Sequence, residues 1–301
     1  MDCFSLLPKV AVSIALLLSL IVVGLSFLLV WSNAHPPRYP LHTSPAAYGL
    51  PFEEVSFSAQ DGIPLKGWYL RARGGKGEKG PTVIVCHGLG ASKSDFVELG
   101  AHLSQRGFRV LLFDWRAHGE SGGKTCSFGY RERMDLLAAL DLVAKKEGVE
   151  LDRIGVYGFS LGGAVAIMTA AECQKIRAVV ADSAFSTMEE EATHVLTRMY
   201  SYPRFPFLPV GKLMFRLLLG VRLEDISPMS VIGKLSPRPV LLIAGVGDET
   251  IPDAHAGYLY EAAGQPKELW LIQGAVHGGT LAAAGPQYQE RVERFFSQAL
   301  R

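Results

Sequence analysis

The chain has 301 residues, enough for one large α/β domain with a sizeable core. Its 30 Lys and Arg against 29 Asp and Glu leave a formal net charge of +1, which offers no electrostatic footprint for nucleic acid. The four cysteines, Cys3, Cys86, Cys126 and Cys173, are too few for a disulfide framework in a chain this long, and no pair stands at metal-ligand spacing.

Residues 10–31 carry no charge and are long enough to cross a bilayer as a helix, with Trp31 suited to the interface. Ser32-Asn33-Ala34 offers small residues where a signal peptidase would cut. The apolar stretch is longer than a signal core, however, so residues 1–32 are expected to be a single-pass anchor. The short tail before the span places the rest of the chain on the non-cytoplasmic side. Cys3 would be open to acylation were it cytoplasmic. Residues 33–50, rich in Pro, His and small polar residues, are expected to be a linker. The globular pattern starts near Phe52, so residues 1–34 are expected to be separable from it.

From residue 51 onward two alternating runs around Asp61-Gly62 predict an antiparallel hairpin, and 74–80 is a glycine- and lysine-rich loop. The period then changes. Apolar runs at 82–86, 110–113, 154–157, 178–181, 239–244 and 268–272 alternate with helical patterns at 96–105, 131–146, 161–168, 254–263 and from 287. Ser92 or Ser94 would cap the first of these helices. With the hairpin this predicts an eight-stranded, mostly parallel sheet covered by helices on both faces. Residues 186–235 carry no strand signal. Their aromatic and proline content predicts a helical lid inserted after a strand.

Within this frame, 154–168 reads as a strand, a sharp turn Gly158-Phe159-Ser160-Leu161-Gly162 and a helix. A serine on such a turn is held in a strained conformation with its hydroxyl exposed. Glycines flank it because strand and helix pass too close for larger side chains. Gly119-Glu120-Ser121-Gly122-Gly123 has the same spacing but neither strand nor helix beside it, so Ser121 is expected to be a loop residue. A serine nucleophile needs a base and an orienting acid. His277 follows the last strand and Asp248 the strand before it, so both reach the carboxyl edge of the sheet with Ser160. Asp182 also ends a strand and is the rival acid. Glu249, next to Asp248, is expected to point elsewhere. His87-Gly88-Leu89-Gly90 after the first parallel strand should supply an oxyanion-binding amide from Leu89, with a second from Leu161; His87 and His118 are then structural.

Through His87-Gly88-Leu89-Gly90, Asp114 to Ser121, Gly158 to Gly162, Gly245 to Pro252 and His277-Gly278, the chain resembles the α/β-hydrolase superfamily from about residue 50 onward. It is similar in particular to membrane-anchored bacterial hydrolases grouped with serine aminopeptidase-like sequences. Val246 stands where similar loops carry a first Asp, which leaves Asp248 as the matching acid. The resemblance implies acyl transfer to water with no metal or organic cofactor. The expected substrate is a small or lipid-like acyl ester. A peptidase or amidase is the alternative, with Glu189, Glu190 and Glu191 as the groups able to hold a free amino terminus. A non-catalytic, membrane-tethered binding protein is the third reading, and an intact Ser160, Asp248 and His277 argues against it.

Overall fold

The structure is a computed structural model that describes residues 3–73 and 80–301; residues 74–79 and the side chains of residues 3–7, Cys3 among them, lie outside the described residues. Eight strands form one sheet: β1 (Phe52–Ser58), β2 (Pro64–Leu70), β3 (Thr82–Cys86), β4 (Arg109–Phe113), β5 (Ile154–Phe159), β6 (Ile176–Asp182), β7 (Val240–Gly245) and β8 (Lys267–Ile272). Their order is β1-β2-β4-β3-β5-β6-β7-β8. β1 and β2 form the antiparallel hairpin, and β2 pairs antiparallel with β4 rather than with β3. From β4 to β8 every pairing is parallel.

The alternation of side chains along a strand divides the core in two. Ile84, Leu111, Val156, Val179 and Leu242 face one cluster, and Val83, Val110, Tyr157, Val180 and Leu241 face the other. Burial on both faces is why these strands are continuous apolar runs. Helices cover both faces: α2 (Val97–Gln105), α3 (Glu132–Ala144), α4 (Leu161–Glu172), α7 (Ala254–Ala262) and α9 (Pro286–Ala299). Ser92, through a capping box with Asp95, starts the short turn that leads into α2. A further short helix, α8 (Thr280–Ala284), falls where the sequence carries no helical period. Between β6 and β7 lie α5 (Met188–His194), a π-helical turn (Val195–Met199), α6 (Arg204–Leu219) and three short 3₁₀ turns, all within the segment expected to be a lid.

The amino-terminal helix α1 (Cys3–Ala34) is long and apolar enough to cross a membrane; its stretch Pro8–Ala34 counts 27 residues, about 40 Å at the α-helical rise. It does not hang free of the rest. Residues 8–21 are exposed on all sides, but from Val22 a stripe of Val22, Leu25, Ser26, Leu29, Val30, Asn33 and Ala34 is partly or fully buried. That spacing is one face of a helix, and α1 packs along α6. Ala34 is 1% exposed within the main core, and its carbonyl accepts from Cys126 N at 2.8 Å, so the rest of the fold satisfies an end of the helix. The segment after it is docked as well. The Arg38 guanidinium donates to the carbonyls of Gly119 and Gly123, each at 2.8 Å, and to that of Ser121. Pro45 and Leu50 are buried. The expectation of a separable amino-terminal segment therefore differs from the structure: residues 22–34 use one face as a core element.

Removing residues 1–20 should leave that stripe in place, whereas removing residues 1–34 should expose α6 and part of the core. In detergent, we expect the shorter deletion to keep the wild-type Tm. The longer one should lose roughly 5–10 °C, since a domain of this size shifts by about 2–4 °C per kcal/mol and several apolar side chains are lost. Equal thermal unfolding of the two truncated chains would contradict the docking of α1.

Candidate active site

At Ser160 the backbone takes φ 54° and ψ −118°, a conformation L-residues rarely adopt. The packing on either side imposes it. A Cβ on Gly158 would lie 2.2 Å from the Gly162 carbonyl oxygen, and one on Gly162 would lie 2.3 Å from that of Cys86. Strand β5, helix α4 and strand β3 thus meet at contact distance. Ser160 N donates to the Asp182 carbonyl at 2.7 Å, which ties the turn to β6. Leu161 opens α4, so its N–H is among those with no partner inside the helix, at the positive end of the helix dipole. The β3 loop comes equally close: a Cβ on Gly88 would sit 2.9 Å from Phe159 and 3.2 Å from Ser160 Cβ. This close approach brings Leu89 to the cavity that Ser160, Leu161 and His277 line.

The structure brings the other two candidates together. His277 Nδ1 lies 2.7 Å from Asp248 Oδ2. Asp248 is buried, and its Oδ1 accepts from Thr250 N at 2.9 Å and Ile251 N at 2.8 Å, so three donors hold its orientation. With Nδ1–H committed to the carboxylate, Nε2 keeps its lone pair. The two loops are joined by Val246 N to the Ile272 carbonyl and Gly247 N to the Ala275 carbonyl, each at 3.0 Å. A Cβ on Gly245 would strike the Ala275 oxygen at 2.3 Å, so the acid and base loops touch through a glycine. Phe159 packs against His277 with ring centres 4.9 Å apart and the planes tilted by 40°.

Asp182 has a different place. It is fully buried, and its Oδ2 accepts from Thr280 Oγ1 at 2.6 Å and Tyr288 OH at 2.5 Å while Oδ1 accepts from Ser183 Oγ at 2.9 Å. Burial raises its carboxyl above the usual range, and those donors offset part of the rise. It ties β6 to α8 and α9. Glu249 is exposed and is not among the residues that line the cavity beside Ser160 and His277. Ser121 is buried in the loop and spans two backbones: its Oγ donates to the Asp114 carbonyl at 2.6 Å and accepts from Lys66 N at 2.9 Å. His87 is also structural. Its Nδ1 donates to the Gly88 carbonyl at 2.7 Å, its Nε2 accepts from Trp115 N at 3.1 Å, and burial lowers its pKa to about 4. His118 is buried beside it and bonds the Arg116 carbonyl through Nδ1 at 2.8 Å.

Ser160 and His277 open onto an apolar cavity of about 310 Å³. Phe185, Met188, Leu196, Leu208 and Phe215 line it from the inserted segment and the β6 loop. Glu191 is one of its few polar lining residues, with Asn33, Lys212 and Thr250. The residue is 7% exposed, and among the described residues its Oε2 has no hydrogen-bond partner; His255 Nε2 lies 3.7 Å from it. Burial, and then the Asp248 charge, push its pKa up to about 8. The sequence reading grouped Glu191 with its two neighbours; only the helical phase of α5 sends this one inward. Leu29, Val30 and Asn33 of α1 also line the cavity, and no motif in the sequence pointed to them.

A parallel sheet with a serine on a strained β5–α4 turn and an Asp–His pair at the same edge defines an α/β hydrolase. The comparisons agree: a model of the alpha/beta hydrolase fold matches residues 81–221. An uncharacterized Bacillus subtilis protein, YqkD, is 30% identical over 236 residues, covering 78% of this chain and 75% of that one. A Mycobacterium tuberculosis protein, Rv2307c, is 29% identical over 296 residues, 97% of this chain and 95% of its own, so the match takes in most of α1. Among solved structures, the Pyrococcus furiosus esterase Pf2001 superposes with a TM-score of 0.73 at 26% identity, covering 90% of this chain and 99% of that one. The chain belongs to the α/β-hydrolase fold family.

Because Glu191 keeps its proton to about pH 8 when folded but releases it near 4.5 when unfolded, its contribution to stability is present at acidic pH and is lost as pH rises between those values. Glu191→Gln should therefore gain stability over wild type progressively across that window, by up to about 1 kcal/mol per pH unit. Urea unfolding at several pH values reads this, and a difference independent of pH would rule it out.

Proposed function

We propose that the protein is a membrane-associated serine hydrolase that cleaves carboxylic acyl esters through Ser160, His277 and Asp248. The reading rests above all on the 2.7 Å His277–Asp248 contact at the mouth of the apolar cavity onto which the strained Ser160 also opens. His277 Nε2 takes the Ser160 proton as Oγ bonds to the acyl carbon. The resulting oxyanion is held by the amides of Leu89 and Leu161, each such donor typically worth about 2.7–4 kcal/mol. Asp248 keeps the imidazole in the productive tautomer and stabilises the imidazolium. The alkoxide leaves with the proton from Nε2. Water then repeats the sequence on the acyl-enzyme and releases the acid. Supporting an ester over an amide are the apolar walls and the likeness to a solved esterase. One observation favours a peptidase as the second reading: Glu191, buried in the cavity with a free oxygen, could pair with a substrate ammonium group, which would then lower its pKa. A screen of p-nitrophenyl esters against aminoacyl amides separates the two.

We expect Ser160→Ala to abolish labelling by a fluorophosphonate probe and all ester turnover. Ser121→Ala should keep turnover but lose about 1–3 kcal/mol of stability, since two buried backbone groups lose their partner. Equal loss of turnover from both folded variants would remove Ser160 from its role.

For the acids we expect Asp248→Asn to lower kcat by about 10⁴-fold, the effect of a wrong imidazole tautomer in a well-studied triad. Asp182→Asn should act chiefly on Tm, because its partners are Thr280, Tyr288 and Ser183. A wild-type kcat for Asp248→Asn would transfer the role to Asp182.

A further inference from the structure

We infer that the last turns of the membrane helix and the lid helix α6 together form an acyl-chain site that opens sideways into one leaflet of the bilayer, so that the substrate is a long-chain ester of a membrane amphiphile. This deepens the ester-hydrolase reading and rests on it for the reaction. Three observations carry it.

The first is the double role of α1. Its residues 8–21 are exposed on all sides, as a helix in lipid requires, yet Leu29, Val30 and Asn33 line the cavity that contains Ser160 and His277. One helix thus faces both the bilayer and the reacting centre, with no stretch of chain between the two roles.

The second is that α6 is apolar on opposite faces. Leu208, Gly211 and Phe215 face the cavity. The opposite row at four-residue spacing is Pro209, Leu213 and Leu217, all exposed, with Leu213 at 51% and Leu217 at 68%; Phe205, 80% exposed, stands just before it at a non-helical break. A helix meant for water would carry polar residues there. Arg204 and Arg216 are exposed on the same helix and have stems long enough to carry their charges out to lipid headgroups.

The third is continuity. α6 packs against α1, whose residues 8–21 are exposed and mostly apolar, so both exposed apolar surfaces belong to one packed pair of helices. The occupant of that row is therefore the bilayer. A chain drawn from the leaflet enters past Met199 and Tyr200, both lining the cavity and half exposed. Its ester group then stops at Ser160.

The test uses full-length protein. Leu29→Trp fills the cavity wall and Leu29→Ala enlarges it. In detergent, the laurate-to-butyrate ratio of ester kcat/KM should fall about tenfold in Leu29→Trp, since each methylene excluded costs roughly fourfold. It should rise in Leu29→Ala. In phosphatidylcholine vesicles, Leu217→Trp should add fluorescence that a brominated lipid quenches. An unchanged ester ratio in both Leu29 variants overturns the proposal. So does added fluorescence in Leu217→Trp that the brominated lipid leaves unquenched, the result expected if a second copy or another protein covers α6. A third readout separates this inference from the reaction it rests on. If wild type turns over no ester but binds cis-parinaric acid, and Leu29→Trp weakens that binding, the ester reading falls and the acyl site stands. Parinaric acid binding unaffected by Leu29→Trp overturns the acyl site.

Discussion

The site depends on three backbones being closer than side chains allow. Gly158 faces the Gly162 carbonyl, Gly162 faces the Cys86 carbonyl, and Gly88 faces the ring of Phe159. Because β5, α4 and the β3 loop meet there, the chain can pass from strand to helix only through the positive φ at Ser160. The strain has a use. It lifts the hydroxyl off the sheet edge and directs the amino end of α4 at the same point. Any side chain at Gly158 or Gly162 would part these elements and misplace the amides and the serine together.

Two aspartates end neighbouring strands of this sheet and serve different ends, and their surroundings assign the roles. Asp248 binds backbone amides with one oxygen and presents the other to His277. Asp182, one strand inward, spends its oxygens on hydroxyl groups that fasten α8 and α9. Chain order alone would allow either. The acid loop is joined to the histidine loop through Gly245 and Gly247, and that contact brings Asp248 within hydrogen-bond distance of the imidazole.

The inserted segment between β6 and β7 solves a covering problem. The carboxyl edge of the sheet would otherwise expose Phe128 and Phe185. The insertion and the end of α1 close over them and leave a cavity rather than a filled core. The insertion also places a neutral acid, Glu191, in that apolar space, where it keeps its proton at neutral pH. Besides Ser160 and His277, the polar side chains among the cavity's otherwise apolar walls include those of Glu191, Asn33, Lys212 and Thr250.

The strand–helix alternation, the Ser160 turn and the order of Ser160, Asp248 and His277 were legible in the sequence. Each depends on local matters: a period of two or 3.6, glycines at fixed offsets, and polar residues just past strand ends. The pairing of β2 with β4 was not legible, because register between distant strands leaves no local mark. Neither was α8, at five residues too short for a period to register. The inward turn of Glu191, against the surface-facing Glu189 and Glu190, needed the phase of α5. The docking of α1 was hidden for a plainer reason. α1 is apolar all round, so the stripe from Val22 to Ala34 looks no different in sequence from the exposed residues beside it. Only the fold, by placing α6 and Cys126 against that stripe, decided that this helix is also a wall of the cavity.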